Sequence, residues 1–163
     1  MKLSVLIPVY NEEKTLPVII PKVLNQRVPG VDQFEIVVVD DASQDRSKEI
    51  IQQLIQKYPE IQPVYQSVNQ GKGAAIRKAI EAASGDIAII QDADLEYDPS
   101  DYPAMLTPII EDRADVVYGS RFMVSGERRV CKVTTCESRR SSSTESFRTA
   151  AYSFSICSLR TMS

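Results

Sequence analysis

Not one histidine occurs in this 163-residue chain, which removes imidazole bases, histidine-ligated zinc and Ser-His-Asp or Cys-His catalysis from the chemistry open to it. No apolar run reaches the roughly 18 residues of a membrane-spanning helix. The opening run from Met1 to Ile7 stops at Pro8, too short for a signal peptide, and reads as a cytosolic start. Cysteine is absent before residue 131. Without histidine, Cys131, Cys136 and Cys157 are too few for a four-ligand zinc site and read as free thiols. Whatever chemistry occurs must rest on carboxylates, lysine, arginine, hydroxyls or a bound metal.

What is present is ordinary for one soluble domain: 43% hydrophobic and 25% charged residues. The charge is uneven. Residues 1–130 carry 14 basic and 20 acidic side chains, net −6, whereas residues 131–163 carry five and two, net +3. Along the first part, strand and helix patterns alternate. Strands are expected at 4–9, 35–39, 61–65, 87–91 and 115–118. Helices are expected at 15–25, kinked at Pro21, then from a cap at Ser43 or Asp45 up to Tyr58, then at 73–83 and 99–111. The third helix should bury Ile76, Ala79, Ile80 and Ala83; the fourth should turn Tyr102, Met105, Leu106 and Ile109 inward. Such alternation predicts an α/β fold, a mostly parallel sheet with helices on both faces, with ligands at the carboxyl ends of the strands.

Beyond Val130 the periodicity stops. The Ser/Thr/Arg-rich tail, 131–163, includes Ser141-Ser142-Ser143 and has little aliphatic material to offset ordering entropy, so it is expected to be mostly disordered. It lacks interleaved aromatics beyond Phe147, Tyr152 and Phe154, and nucleic acid is not an expected partner.

Four motifs stand at strand ends. Pro8-Val9-Tyr10-Asn11-Glu12-Glu13 follows the first strand and Asp40-Asp41-Ala42-Ser43-Gln44-Asp45 the second. Asn69-Gln70-Gly71-Lys72-Gly73 precedes the third helix, and Asp92-Ala93-Asp94-Leu95-Glu96 follows the fourth strand. Singly, each reads more readily as a helix-entry cap, a turn or a loop with a solvated lysine than as a ligand site. Together they gather acidic, tyrosyl and glycine-lysine groups on one edge of one sheet, as recognition of a nucleoside diphosphate and its metal requires. On extended backbone Asp92 and Asp94 point to the same side, and their repulsion is relieved by a cation between them. Magnesium or manganese bridging a nucleotide diphosphate fits, because hard cations take carboxylate and phosphate oxygens together.

Over residues 3–130 these motifs, with Gly119-Ser120-Arg121-Phe122, make the chain resemble the family 2 glycosyltransferases of GT-A fold, in the polyprenyl (dolichyl) phosphate mannosyl- and glucosyltransferase branch. The resemblance implies transfer of a hexose, with inversion, from GDP-mannose or a UDP-sugar to a polyprenyl phosphate at a membrane surface, by a cytoplasmic chain lying peripherally. It also implies roles. Pro8, Tyr10 and Glu12 would line the nucleoside pocket, with Asp40 and Asp41 on the base or ribose. Asp92 and Asp94 would hold magnesium or manganese, with Glu96 as third partner. Arg121 and Lys72 would reach the diphosphate.

The resemblance fades within residues 125–130, and the change of composition there is what a frameshift or truncation would produce, at the expense of acceptor binding. A non-catalytic nucleotide-sugar-binding module is the main competing reading. A dinucleotide oxidoreductase is disfavoured because no glycine-rich turn follows the first strand. A phosphatase with Asp92 as nucleophile lacks a hydroxyl after Asp94 to hold the phosphoryl group.

Overall fold

The computed structural model describes residues 1–120, 132–135 and 155–158. Strand β1 (Lys2–Val9) is followed by helix α1 (Leu16–Leu24), β2 (Gln33–Asp40), α2 (Ser47–Lys57), β3 (Ile61–Tyr65), α3 (Lys72–Ala82) and β4 (Ile87–Ile90). A single 3-10 turn, Pro99–Asp101, leads into α4 (Tyr102–Ile110), and the sheet is completed by β5 (Val116–Ser120), β6 (Lys132–Thr135) and β7 (Ser155–Ser158). The strand order is β3-β2-β1-β4-β7-β5-β6. Strands β1 to β4 pair in parallel; β7 runs antiparallel to both β4 and β5, and β6 antiparallel to β5.

Parallel strands covered on both faces need apolar residues in both phases of the pleat, and these strands have them. In one phase Val5, Ile7, Val9, Ile36, Val38, Ile87 and Ile89 join α1, α2 and α4 in the larger core. In the other, Leu6, Val37, Val39 and Ala88 meet Ala75 and Ala79 of α3. The expected helices on both faces are therefore present. The expected face of α3 is present only in part: Ala79 is buried and Ala83 packs against the same cluster as expected, but Ala74 and Ala75 complete the buried face and Ile80 is exposed. Leu6, Val37 and Val39 already fill the sheet surface beneath it, leaving room for alanine. Helix α4 turns Tyr102, Met105, Leu106 and Ile109 inward as expected.

Pro21 lies inside α1. Neither Ser43 nor Asp45 is the cap of α2, which starts after Arg46; Asp45, one residue before that cap, accepts from the N–H of Ser47, the first residue of the helix. Within the stretch expected to be disordered, β6 and β7 are strands, with β-branched Val133, Thr134, Thr135 and Ile156 suited to that role. The rest of that stretch, including the three serines and two of the cysteines, lies outside the described residues.

The end of the sheet away from the strand carboxyl termini is tied by a buried polar cluster. Glu35 accepts from Lys2 Nζ, Ser4 Oγ and both the N–H and hydroxyl of Ser84. Burial alone would raise its carboxyl pKa, but the Lys2 ammonium and these hydrogen bonds outweigh it and hold the group at about 2. Gly85 closes the cluster at a point where a Cβ would lie 2.5 Å from Ser4 Oγ and 2.8 Å from Lys2 O.

Candidate functional site

Because β2, β1 and β4 are neighbours and parallel, the chain segments leaving Asp40, Val9 and Ile90 emerge side by side. The first two are laced together. Asn11 N–H donates to Ser43 Oγ, Gln44 N–H to Asn11 Oδ1, Glu12 N–H to Ser47 Oγ, and Glu13 N–H to Asp45 Oδ2. Three residues that are not glycine adopt left-handed backbone along this edge, one after each strand: Asn11 (φ 58°), Ala42 (φ 59°) and Leu95 (φ 64°). Each such conformation costs about 1–2 kcal/mol for an L-residue, so their grouping on one rim is strain held in place by the surrounding fold.

Asp41 is 2% exposed and its carboxylate organises the third segment. Oδ1 accepts from Gln66 Nε2 at 2.7 Å and from Gln70 N–H at 2.8 Å; Oδ2 accepts from Gly71 N–H at 2.7 Å. The loop from Gln66 to Gly71 is thereby folded back over β2. Gly71, with φ 85°, supplies the turn into α3, whose first residue is Lys72. Lys72 Nζ then stands 2.7 Å from Asp92 Oδ2.

Asp92 and Asp94 do face one cavity, though not by the expected route. The strand ends at Ile90 and the pair sits in a turn, so the alternation of an extended chain does not align them. Asp94 Oδ1 accepts from the Glu96 N–H, and Leu95 reverses the chain. Beneath the turn, Gln91 is fully buried and donates through Nε2 to Asp92 O at 2.9 Å and Tyr97 O at 3.2 Å; its Oε1 accepts from Tyr102 Oη at 2.7 Å. Burial raises the Tyr102 phenol pKa well above its ordinary value, with the Asp98 charge adding to the effect, so the hydroxyl remains a donor.

The cavity is about 160 Å³ and is lined by Pro8, Tyr10, Glu12, Asp41, Lys72, Asp92 and Asp94 with Val9, Ala75 and Ala93. Seven expected site residues thus meet. Asp40 and Glu96 do not line it. Asp40 is buried at 3% exposure and accepts from the Ser43 N–H, holding the turn that carries Asp41. Glu96 is carried off the wall by the reversal at Leu95. Arg121 lies outside the described residues. Gln66, Gln91 and Tyr102 are not among the expected site residues, Tyr102 being expected only as an inward residue of its helix; a glutamine ending an apolar strand is the one sign in the sequence of the Gln91–Tyr102 pair. A larger cavity, about 450 Å³, lies at the start of β2 beside Arg27, Asp32 and Phe34 and shares no lining residue with the first.

Among the described residues no three His, Cys, Asp or Glu side chains converge as a metal cluster. The donor set nevertheless fits a hard divalent cation. Two carboxylates on one wall leave the other coordination places to phosphate oxygens and water, the usual arrangement for magnesium. The ammonium of Lys72 on Asp92, whose side chain is 18% exposed, marks the spot as one that holds positive charge.

Comparison with known proteins gives these observations a context. Residues 4–160 match the family described as Glycosyl transferase family 2. The chain is 36% identical over 127 residues to the dolichol-phosphate mannosyltransferase of Pyrococcus furiosus, covering 78% of this chain and 35% of that protein. Among solved structures, the mannosyltransferase PcManGT of Pyrobaculum calidifontis, in complex with GDP-Man and Mn2+, superimposes with a TM-score of 0.63 at 27% identity, covering 73% of this chain and 35% of that one. S. aureus TarS (1-349) in complex with UDP-GlcNAc does so with a TM-score of 0.60 at 29% identity, covering 71% and 33%. The chain therefore spans about a third of the length of the relatives it matches.

Proposed function

We propose that this chain, which belongs to glycosyl transferase family 2, holds a nucleotide-sugar donor, GDP-mannose or UDP-glucose in type, at the carboxyl edge of β2, β1 and β4 for inverting transfer of its hexose to a polyprenyl phosphate. The observation that carries this reading is the convergence of Tyr10, Asp41, Lys72, Asp92 and Asp94 on one cavity. The similarity to a dolichol-phosphate mannosyltransferase supports the acceptor class.

The cavity is smaller than the roughly 300–1,000 Å³ of sites that enclose a whole small molecule. The diphosphate occupies it and the nucleoside lies along the open rim. Tyr10, 44% exposed, offers its ring to the base beside Pro8, and Glu12 accepts from ribose hydroxyls. Asp41 has one Oδ2 lone pair left after its three loop hydrogen bonds, and acts mainly by holding that loop. Lys72 reaches the diphosphate by leaving Asp92; Arg121, the other diphosphate contact in this reading, lies outside the described residues. A magnesium or manganese ion held by Asp92 and Asp94 would supply neutralisation of the charge that builds on the departing diphosphate.

The acceptor phosphate, with a second pKa of roughly 6, is ionised near neutral pH, so no basic side chain is needed to activate it. This reconciles the reaction with a chain that has no histidine. The acceptor lipid places the reaction at a membrane surface, which the chain approaches peripherally. No helix among the described residues is long and apolar enough to cross a membrane.

Calorimetric titration with GDP and with UDP, each with and without manganese, tests the reading. Manganese-dependent binding of one nucleotide, abolished in Asp94→Ala, is expected and names the base. Metal-independent binding, or binding indifferent to Asp94→Ala, would overturn the site. Labelled hexose transferred to a polyprenyl phosphate, rather than merely retained with the nucleotide, separates a transferase from a donor-binding module.

A further inference from the structure

We infer that Gln91 and Tyr102 are positioning residues that set the distance between the Asp92 and Asp94 carboxylates, and so tune the affinity of the site for a divalent cation; the inference rests on the reading of that site given above. Neither side chain lines the cavity, and both are fully buried. A glutamine and a tyrosine are costly choices for a core position that leucine and phenylalanine could fill, since every polar atom must find a partner. Here each does. Both amide hydrogens of Gln91 are used on Asp92 O and Tyr97 O, and Tyr102 Oη occupies the amide oxygen.

The partners matter more than the number of bonds. Asp92 O and Tyr97 O are the two ends of the turn that carries the acidic pair, and one amide bridges them from below. The backbone N–H of Gln91 is itself fixed to Leu6 O in β1. Tyr102 opens α4, so its hydroxyl connects the turn to the helix packed against the large core. With Tyr102 donating, only one orientation of the amide satisfies all three bonds, because a flipped amide would aim its oxygen at two carbonyl oxygens. The turn is therefore clamped in one geometry by groups that never touch a ligand. Outer partners of this kind commonly change metal affinity or activity by about 10–100-fold when removed.

The test is manganese binding to the whole chain, read as free Mn2+ by electron paramagnetic resonance, alone and with saturating GDP or UDP. Tyr102→Phe keeps the ring and removes only the hydroxyl that orients the amide; Gln91→Met removes the clamp. Circular dichroism establishes that each variant is folded. About tenfold weaker manganese binding is expected in Tyr102→Phe and a larger loss in Gln91→Met, with metal-free nucleotide affinity unchanged. The double variant should bind no worse than Gln91→Met, because the two residues act as one unit. If Gln91→Met does not fold, Tyr102→Phe alone decides. Manganese affinity unchanged in folded Tyr102→Phe, or manganese and metal-free nucleotide affinities falling together, would overturn the inference while leaving the site reading intact. An unaltered chain with no manganese-dependent nucleotide binding would overturn both.

Discussion

Replacing Asp41 by asparagine changes one atom and should loosen the loop that presents Lys72. In the native chain three N–H groups donate to one carboxylate at 2.7–2.8 Å. Hydrogen bonds to a charged group contribute roughly 1.5–3 kcal/mol each, and neutral ones about 0.5–1.5. The asparagine oxygen can keep the two bonds now made by Oδ1, each weakened by about 1 kcal/mol on loss of charge. Its NH2 would replace Oδ2 and face the Gly71 N–H, donor against donor, forfeiting a third bond worth about 2 kcal/mol. Asp41→Asn is therefore expected to cost about 3–4 kcal/mol, a large share of the 5–15 kcal/mol typical of a domain. Urea unfolding followed by circular dichroism gives the global loss. Amide exchange at Gln70 and Gly71 shows whether it begins in the loop. A variant within 1 kcal/mol of the native chain, with Gly71 still protected, would refute the assignment of Asp41 as the loop's anchor and leave direct ligand contact as its role.

Other outcomes follow from the same structure. Glu35, held at about 2 against an ordinary value near 4.5, contributes stability that is fully present above about pH 4.5 and lost as pH falls towards 2; the amount is about 3 kcal/mol. Acid titration of stability in Glu35→Gln should lack that portion of the slope, and an identical profile would refute the cluster's role. Ala42→Gly removes the steric cost of a left-handed residue, less the extra chain entropy of glycine, and should stabilise the fold by about 0.5–1 kcal/mol in thermal or urea unfolding. Lys72→Met removes a half-exposed ion-pair partner, so stability should move by less than about 1 kcal/mol. Calorimetry should show tighter manganese binding, because the competing ammonium is gone, and weaker diphosphate binding.

The parallel half of the sheet is legible in the sequence because Val, Ile and Leu fill both phases of β1 and β2, and its motif loops fall at the carboxyl ends that parallel pairing brings together. The face of α3 is legible only at Ala79 and Ala83. Helical periodicity is satisfied equally by the isoleucine stripe and the alanine stripe, and only the crowding of Leu6, Val37 and Val39 decides between them. The insertion of β7 between β4 and β5 could not be foreseen either, since a four-residue strand in a Ser/Thr-rich stretch carries no periodic signal and its partners are some 40 to 70 residues away. At the site, residue identities were readable but geometry was not. Asp92 and Asp94 meet through a turn buttressed by Gln91, and Asp40, alike in type to Asp41 and adjacent to it, turns its carboxylate to a structural N–H.

The interior position of β1, between β2 and β4, has a consequence for how the chain is made. Its first strand pairs early with β2, but the opposite edge waits for β4, whose first residue is Ile87, while the ribosome adds the 46 residues that lie between Asp40 and Ile87. At about 5–20 residues per second that edge stays bare for roughly 2–10 seconds. It presents Leu3, Val5, Leu6 and Ile7, an apolar strand with no charge after Lys2 to deter pairing with another nascent chain. Yield on expression should therefore depend on translation speed between β2 and β4 and on chaperone capture of the N-terminal segment, quite apart from the stability of the finished fold.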